Sequence, residues 1–326
     1  MTTGGSAFPI TGVVGVIGGS DEEVGRQLAC LEGLPALGGV EIRADLFATR
    51  DAPLALTERL RDRWPVLFTV RLAAEGGAYR ASESERIELY SEALRRGAVL
   101  LDVELRSGAA SALAGRGAPL LVSHHDFHGT IGREELEDLT AAAATLAPLG
   151  IKIVPTAARP LDGLRMLEWV AARRATEPRR AGFAMGERGV FSRILSLAWG
   201  APLTYGSLTA RVAPGQLSAR DLLETYRAPI HTRSTRIFGV AGNPVHHSLS
   251  PHLHNPAFAA RRLDAVYVPL ELTSFSDLLD LAEPLGIAGV SVTIPFKKDA
   301  FENAASTDAP SKAGRATNTL IWERSE

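Results

Sequence analysis

Short apolar runs alternate with amphipathic stretches through the first two thirds of the chain. Runs at 13–17, 40–43, 66–71, 99–104, 120–123, 151–154, 182–185 and 203–205 have the length of strands. Between them, 21–31, 83–95, 133–146 and 161–173 repeat apolar residues at helical spacing. Ser82 stands before Glu83 and Glu85 as a predicted N-cap, an oxygen acceptor for the free amides of the first turn. Such alternation predicts parallel βα units, either as a closed (β/α)8 barrel or as an open doubly wound sheet. A barrel carries its chemistry at the carboxyl ends of several strands. Ionisable residues cluster at those ends here, so the expected α/β fold is the TIM barrel.

The pattern pauses after Tyr226. Residues 228–235 carry Pro229, His231 and three Ser/Thr residues without apolar periodicity, which predicts a linker at 229–235. A second series follows, with strands at 236–240, 265–270 and 289–294 and helices at 251–262, 275–285 and 300–303. A last short strand is expected at 319–322. The expected domains are a barrel at 12–228 and a small α/β unit at 236–326, after a short flexible leader at 1–11.

Composition narrows the function classes. The chain has 326 residues, 45% of them hydrophobic and 22% charged, as a soluble protein with a sizeable core would. A formal charge of −2 gives no reason to expect nucleic acid as a partner. Cys30 is the one cysteine, which excludes an intramolecular disulfide and any multi-cysteine metal site. No apolar run approaches the roughly 18 residues of a membrane span, and the amino end lacks the layout of a signal peptide. A cytoplasmic protein is expected.

The candidate chemistry lies at strand ends. Alternation sends Glu41, Arg43 and Asp45 to one face, and Asp102 and Glu104 to one face of a later strand. Arg71 is followed by Glu75-Gly76-Gly77, and Ser123-His124-His125-Asp126-Phe127 ends another run. Lys152 sits inside an apolar run, where a charged ammonium is costly unless paired or neutral. Local context favours an ion pair with Asp102 or Glu104; the other reading is a desolvated amine suited to carbonyl attack. His125 suits proton transfer near neutrality. His124, His125 and His128 lack a clear set of further metal ligands.

In their order, these segments resemble the type I 3-dehydroquinate dehydratases. The matching blocks are Glu41-Ile-Arg43-Ala-Asp45, Arg71 to Gly77, Asp102-Val-Glu104, Ser123 to Phe127, Lys152-Ile153 with Asp162, Met185 to Arg193, and Ala213 to Gln216. They span about residues 12 to 227. Lys152 stands 27 residues after His125 and 10 before Asp162, which fixes its place in the family pattern. The resemblance implies that Lys152 forms an iminium with the ketone of 3-dehydroquinate. His125 then removes the adjacent proton and returns it to the departing hydroxyl, and Glu75 orients His125. Arg193 pairs with the substrate carboxylate, while Glu41, Arg43, Arg71 and Gln216 grip the ring hydroxyls. The reaction belongs to the shikimate pathway of aromatic amino acid biosynthesis and needs no metal or organic cofactor. Val212 replaces the serine usual before Ala-Pro-Gly-Gln, so one substrate hydrogen bond is expected to be missing.

The second unit carries Gly242-Asn-Pro-Val-His-His-Ser248-Leu-Ser250-Pro251, Ser291-Val-Thr293-Ile-Pro295-Phe-Lys297 and Asn318-Thr319-Leu320. Ser250 before Pro251 is a predicted N-cap. Together the blocks resemble the substrate-binding domain of shikimate dehydrogenase, although Ser291 stands where many members have Asn. The resemblance implies that Ser248, Ser250, Thr293 and Asn318 contact shikimate and that Lys297 is the catalytic lysine. The NADP domain that follows in that family is absent from these 326 residues, which contain no Gly-x-Gly-x-x-Gly turn opening a helix. Dehydrogenase activity is therefore not expected of this chain, and dimerisation through an uncovered face of the short unit is a reasonable expectation. Two other readings stay open: a different lysine-iminium barrel such as an aldolase, and a non-catalytic shikimate- or quinate-binding protein.

Overall fold

A computed structural model describes residues 8–209 and 215–323. Its first part is an α/β barrel. The strands are β1 (Gly12–Ile17), β2 (Gly39–Arg43), β3 (Val66–Thr69), β4 (Leu100–Glu104), β5 (Leu120–Asp126), β6 (Gly150–Pro155), β7 (Arg179–Gly182) and β8 (Leu203–Ser207). The helices between them are α1 (Asp21–Glu32), α2 (Asp51–Leu60), α3 (Glu83–Arg96), α4 (Gly108–Ala114), α5 (Arg133–Ala144), α6 (Pro160–Ala171) and α7 (Val190–Leu195). Parallel ladders run from β7 through β6, β5, β4, β3, β2 and β1 to β8, so only the β7–β8 seam lacks ladder bonds among the described residues. The barrel is nearly closed, and the open doubly wound alternative is set aside.

Alternation along the strands sorts the interior into layers. Val14, Leu67, Leu100, Leu121, Ala181 and Leu203 form an apolar inner cluster. Two residues further along the same faces come Thr69, Asp102, Ser123 and Tyr205, and then Arg71, Glu104 and His125 beyond them. Strands β3, β4, β5 and β8 thus turn from apolar to polar toward their carboxyl ends. Ile10 is fully buried in the inner cluster and Phe8 packs beside it.

Ser82 caps α3 as expected, in a capping box with Glu85. The seventh strand corrects its expected place: it runs over Arg179–Gly182 rather than 182–185. Pairing of Lys152 with Ala181 sets that register. The polar start is tolerated because the Arg180 guanidinium bonds the Trp169 carbonyl and Glu177.

The second part is a four-stranded sheet in the order β10 (Ala265–Glu271), β9 (Arg236–Gly242), β11 (Ile287–Val292), β12 (Thr319–Ile321), with β12 antiparallel. Its helices are α8 (Ser250–Ala260), α9 (Phe275–Leu285), α10 (Lys297–Asn303) and α11 (Ala309–Gly314). The expected strand at 289–294 lies two residues earlier, because Thr293 leaves the sheet to begin a turn. Ser250 is the first residue of α8 and Leu249 holds the cap position without a side-chain bond, which corrects the expected Ser250 cap.

The connecting residues are packed rather than free. His231 and Thr235 are buried, and the Arg233 guanidinium lies 3.3 Å from the Trp199 ring centroid. Across the junction Arg159 bonds Asp277 at 2.6 Å. Among the described residues no helix is long and apolar enough to cross a membrane.

Candidate active site

Lys152 is 4% exposed inside the mouth of the barrel. Its ammonium is paired with Asp102, and the Tyr205 hydroxyl lies 3.5 Å away with the ring centroid at 4.6 Å. The ion pair expected from local context is thus present, and its geometry also places the amine in a shielded pocket. Asp102 is shared: its other oxygen accepts from Arg71 at 2.7 Å and from Ser123 at 2.6 Å. Burial would raise the Asp102 carboxyl, but Arg71 and Lys152 outweigh it and hold it well below the usual carboxylate range. Arg71 also reaches Glu104 at 3.1 Å and Ser123 at 2.7 Å. Glu41 is buried on the neighbouring strand and accepts from Thr69 at 2.7 Å. Arg43 makes a two-pronged pair with Asp45, at 2.9 and 2.8 Å.

His125 is the last residue but one of β5 and lies on the same inner face. One Glu75 oxygen lies 3.0 Å from its Nδ1 and accepts from its backbone amide at 2.9 Å. His124 Nδ1 lies 3.7 Å from the other oxygen, so these two histidines converge on a carboxylate. Burial, then the charges of Arg71 and Lys152, push the His125 imidazole down to about 3. Burial alone would raise Glu75, but its contacts with His124 and His125 draw it to about 2. His125 is therefore neutral and Glu75 ionised at neutral pH, the states a proton acceptor and its orienting partner require.

The two glycines after Glu75 make this placement possible. Gly76 has φ +76° as it ends a 3-10 turn over Ala73–Glu75, a conformation glycine adopts without strain. A Cβ on Gly77 would lie 2.1 Å from the Arg71 carbonyl oxygen. The chain folds back on itself there, bringing Glu75 to β5.

Arg193 is buried on α7. Nη1 donates to the Tyr205 carbonyl at 3.2 Å, the guanidinium carbon lies 4.0 Å from the Phe183 ring centroid, and Nε has no partner among the described residues. Burial lowers this guanidinium to about 10. A buried cation with an unused donor is arranged to receive an anion. Asp162 is occupied within the fold, accepting from the backbone amides of Ala158 and Arg159 and from Arg165, and so holds the start of α6.

With Glu187, Val245, His246 and Glu271, Gln216 lines a small cleft between the barrel and the second sheet, and Gly215 donates to Glu187 at 2.9 Å. Val212, Ala213 and Pro214 lie outside the described residues.

In the second part, the three blocks meet at the carboxyl ends of β9 and β11. Asn243 donates to the Ile294 carbonyl at 3.0 Å, Val292 to the Asn318 carbonyl at 2.7 Å and Thr317 to the Lys297 carbonyl at 2.8 Å. The Ser248 and Ser250 hydroxyls are 3.1 Å apart. Thr293 is half-buried beside Gly242, and Lys297 is exposed at the start of α10.

Sequence reading missed Tyr205, although alternation from Leu203 sends it inward. It also missed Arg86 and Tyr90, which share a helical face with Leu89 and Ala93. A polar residue on an apolar helical face was the available signal.

Fold and cluster together define an α/β barrel with a lysine-centred polar site at the carboxyl ends of its strands. The chain belongs to the type I 3-dehydroquinase family, whose model matches residues 16–232, and residues 240–320 match the shikimate dehydrogenase substrate binding domain. It is 35% identical over 269 residues to a chloroplastic bifunctional 3-dehydroquinate dehydratase/shikimate dehydrogenase of Arabidopsis thaliana, covering 80% of this chain and 44% of that one. A 3-dehydroquinate dehydratase of Thermococcus gammatolerans is 39% identical over 186 residues, 56% of this chain and 83% of that protein. Among solved structures, the dehydroquinate dehydratase and shikimate dehydrogenase of S. pombe AroM matches with a TM-score of 0.57 and 25% identity, covering 96% of this chain and 62% of that one. The chain thus spans about half the length of the two-function relatives it matches.

Proposed function

We propose that this protein is a 3-dehydroquinate dehydratase of the shikimate pathway that works through a Schiff base on Lys152. The observation that carries the reading is the convergence of a shielded amine, a neutral histidine and a buried guanidinium with an unused donor at one barrel mouth. Lys152, once its ammonium has given up a proton, adds to the substrate ketone and, as water leaves, the iminium forms and becomes an electron sink. His125 takes the adjacent proton and later delivers it to the departing hydroxyl, so a second water leaves and hydrolysis frees the enone. Glu75 keeps the imidazole in one orientation. Arg193 holds the substrate carboxylate, and Glu41, Arg43, Arg71 and Gln216 are assigned to the ring hydroxyls. No metal or organic cofactor takes part.

Chemical trapping tests the proposal. Incubation with 3-dehydroquinate followed by borohydride should leave a reduced adduct on Lys152, located by mass spectrometry. No adduct and no enone product would sink it. An adduct from an aldol substrate instead would favour an aldolase, and ligand binding without turnover a non-catalytic binding protein.

We further propose two functional units, 12–228 and 236–326, joined at 229–235. The second binds shikimate or dehydroshikimate through Ser248, Ser250, Thr293, Lys297 and Asn318. Support comes from the meeting of those blocks at the carboxyl ends of β9 and β11 and from the match to the shikimate dehydrogenase substrate binding domain. Calorimetric titration with shikimate tests this reading, and the absence of any binding heat would overturn it.

A further inference from the structure

Arg86 heads the largest side chains that are fully buried, yet it belongs to α3 on the outside of the barrel. It passes inward toward the ends of β3 and β4. Its Nε donates to the Val70 carbonyl at 2.9 Å, and its Nη2 is bonded to Glu104. Tyr90, one helical turn on, extends the same contact. Its hydroxyl donates to the Asp102 carbonyl at 2.6 Å and accepts from the Val70 amide at 3.1 Å.

These bonds fall where the sheet stops. The last registered pair of the β3–β4 ladder is Thr69 with Asp102. Val70 lies one residue beyond it, and its amide and carbonyl are met by side chains of α3. Val70 immediately precedes Arg71, and Asp102 is the carboxylate that pairs with Lys152. Glu104, gripped by Arg86, accepts in turn from Arg71 and from the Leu72 amide at 3.0 Å. The helix therefore substitutes for the ladder where two strands must present polar groups into the mouth. Stability alone does not account for a buried arginine, since an apolar residue of similar volume in place of a buried ion pair is often neutral or stabilising.

We propose that Arg86 and Tyr90 are positioning residues for the lysine site. They hold the ends of β3 and β4 so that Arg71 and Asp102 are presented to Lys152 and to a hydroxylated keto-acid substrate. Tyr90 acts on Asp102 and hence on imine formation. Arg86 acts through Glu104 on Arg71 and hence on substrate affinity. The inference rests on the Schiff-base reading of Lys152.

Three variants test it: Tyr90→Phe, Arg86→Met and Arg86→Lys. Tyr90→Phe keeps the ring against Phe68 (centroids 6.3 Å apart) and loses only the hydroxyl. Its rate of borohydride-trappable adduct formation should fall about tenfold, with KM within about twofold of wild type, because a small misplacement of a reacting group is expensive. Arg86→Met should raise KM about tenfold with a smaller effect on kcat, and Arg86→Lys, which keeps a cation for Glu104, should recover part of that rise. Each constant is taken per folded molecule, counted by thermal melting. Variants that melt lower but keep the wild-type KM and trapping rate would show a packing role only and overturn the proposal. If Arg86→Met does not fold, the other two decide the matter. A wild type that forms no adduct fails the Schiff-base reading itself and removes this inference with it, an outcome distinct from normal kinetics in the variants.

Discussion

A single Glu75 oxygen serves His125 twice, accepting its backbone amide at 2.9 Å and facing its ring Nδ1 at 3.0 Å. The ring nitrogen bonded to a carboxylate is the protonated one in the neutral tautomer, which leaves Nε2 as the free base. Replacing Glu75→Gln should therefore disturb the orientation and the tautomer together. We expect kcat to fall about a hundredfold, the size typical of lost acid–base positioning. Steady-state turnover of 3-dehydroquinate measures it, and a loss below about threefold would show that Glu75 has no such part.

The same pair sets a dependence of stability on pH. His125 is pushed down to about 3 from an ordinary 6.5, so the folded protein binds fewer protons than the unfolded chain between those values. Stability falls as pH drops through that window. Glu75, drawn from 4.5 to about 2, contributes stability that is present above 4.5 and lost toward 2. Thermal melts should stay level above pH 7, decline below about 6.5 and steepen below about 4.5. His125→Asn should flatten the upper part of that decline, with buried His231, also pushed down, leaving some slope. An unchanged slope between about pH 6.5 and 5 in the variant would contradict the assignment.

Arg193 offers a prediction in which stability and activity separate. Its guanidinium is buried with one hydrogen bond to a carbonyl and an aromatic face, and no carboxylate among the described residues is paired with it. Removing an uncompensated buried charge relieves a desolvation cost. Arg193→Met should keep or raise the melting temperature of the ligand-free protein while raising KM at least about tenfold. Substrate should then no longer shift the melt, as it does for any ligand bound only by the folded state. A variant that melts lower and still binds substrate normally would rule this out.

The junction between the two parts is anchored unequally. Asp277 is fully buried and accepts from the Thr273 and Ser274 amides at 2.8 and 3.0 Å, capping α9, besides bonding Arg159. Asp277→Ala should cost at least the ~1 kcal/mol of a lost N-cap. Arg159 is half-exposed, and Arg159→Ala should cost much less. Urea denaturation of both variants gives the order; the reverse order would mean that leaving the buried Asp277 carboxylate without its cation costs more than losing the carboxylate with all its bonds.

Much of the barrel was legible from alternation. Glu41, Asp102, Ser123 and Lys152 share the interior because a strand sends every second residue to one face, whatever the partners are. The seventh strand was misplaced because its first residues are arginines, and only pairing with β6 makes them strand. Lys152 next to Asp102 could be read as structural or chemical from the sequence. The folded site shows the ion pair and the shielded pocket as one arrangement.

The eight βα units, the second α/β series and the chemical types at the strand ends could all be read along the chain. They follow from local periodicity and from residues close together in sequence. Long-range packing settled the rest: Glu75 fifty residues from His125, Arg86 from an outer helix against Glu104, Tyr205 over Lys152, and Gln216 against the second sheet. Periodicity tells a residue which face it occupies, while register, helix packing and the layering of strand ends choose what it meets there.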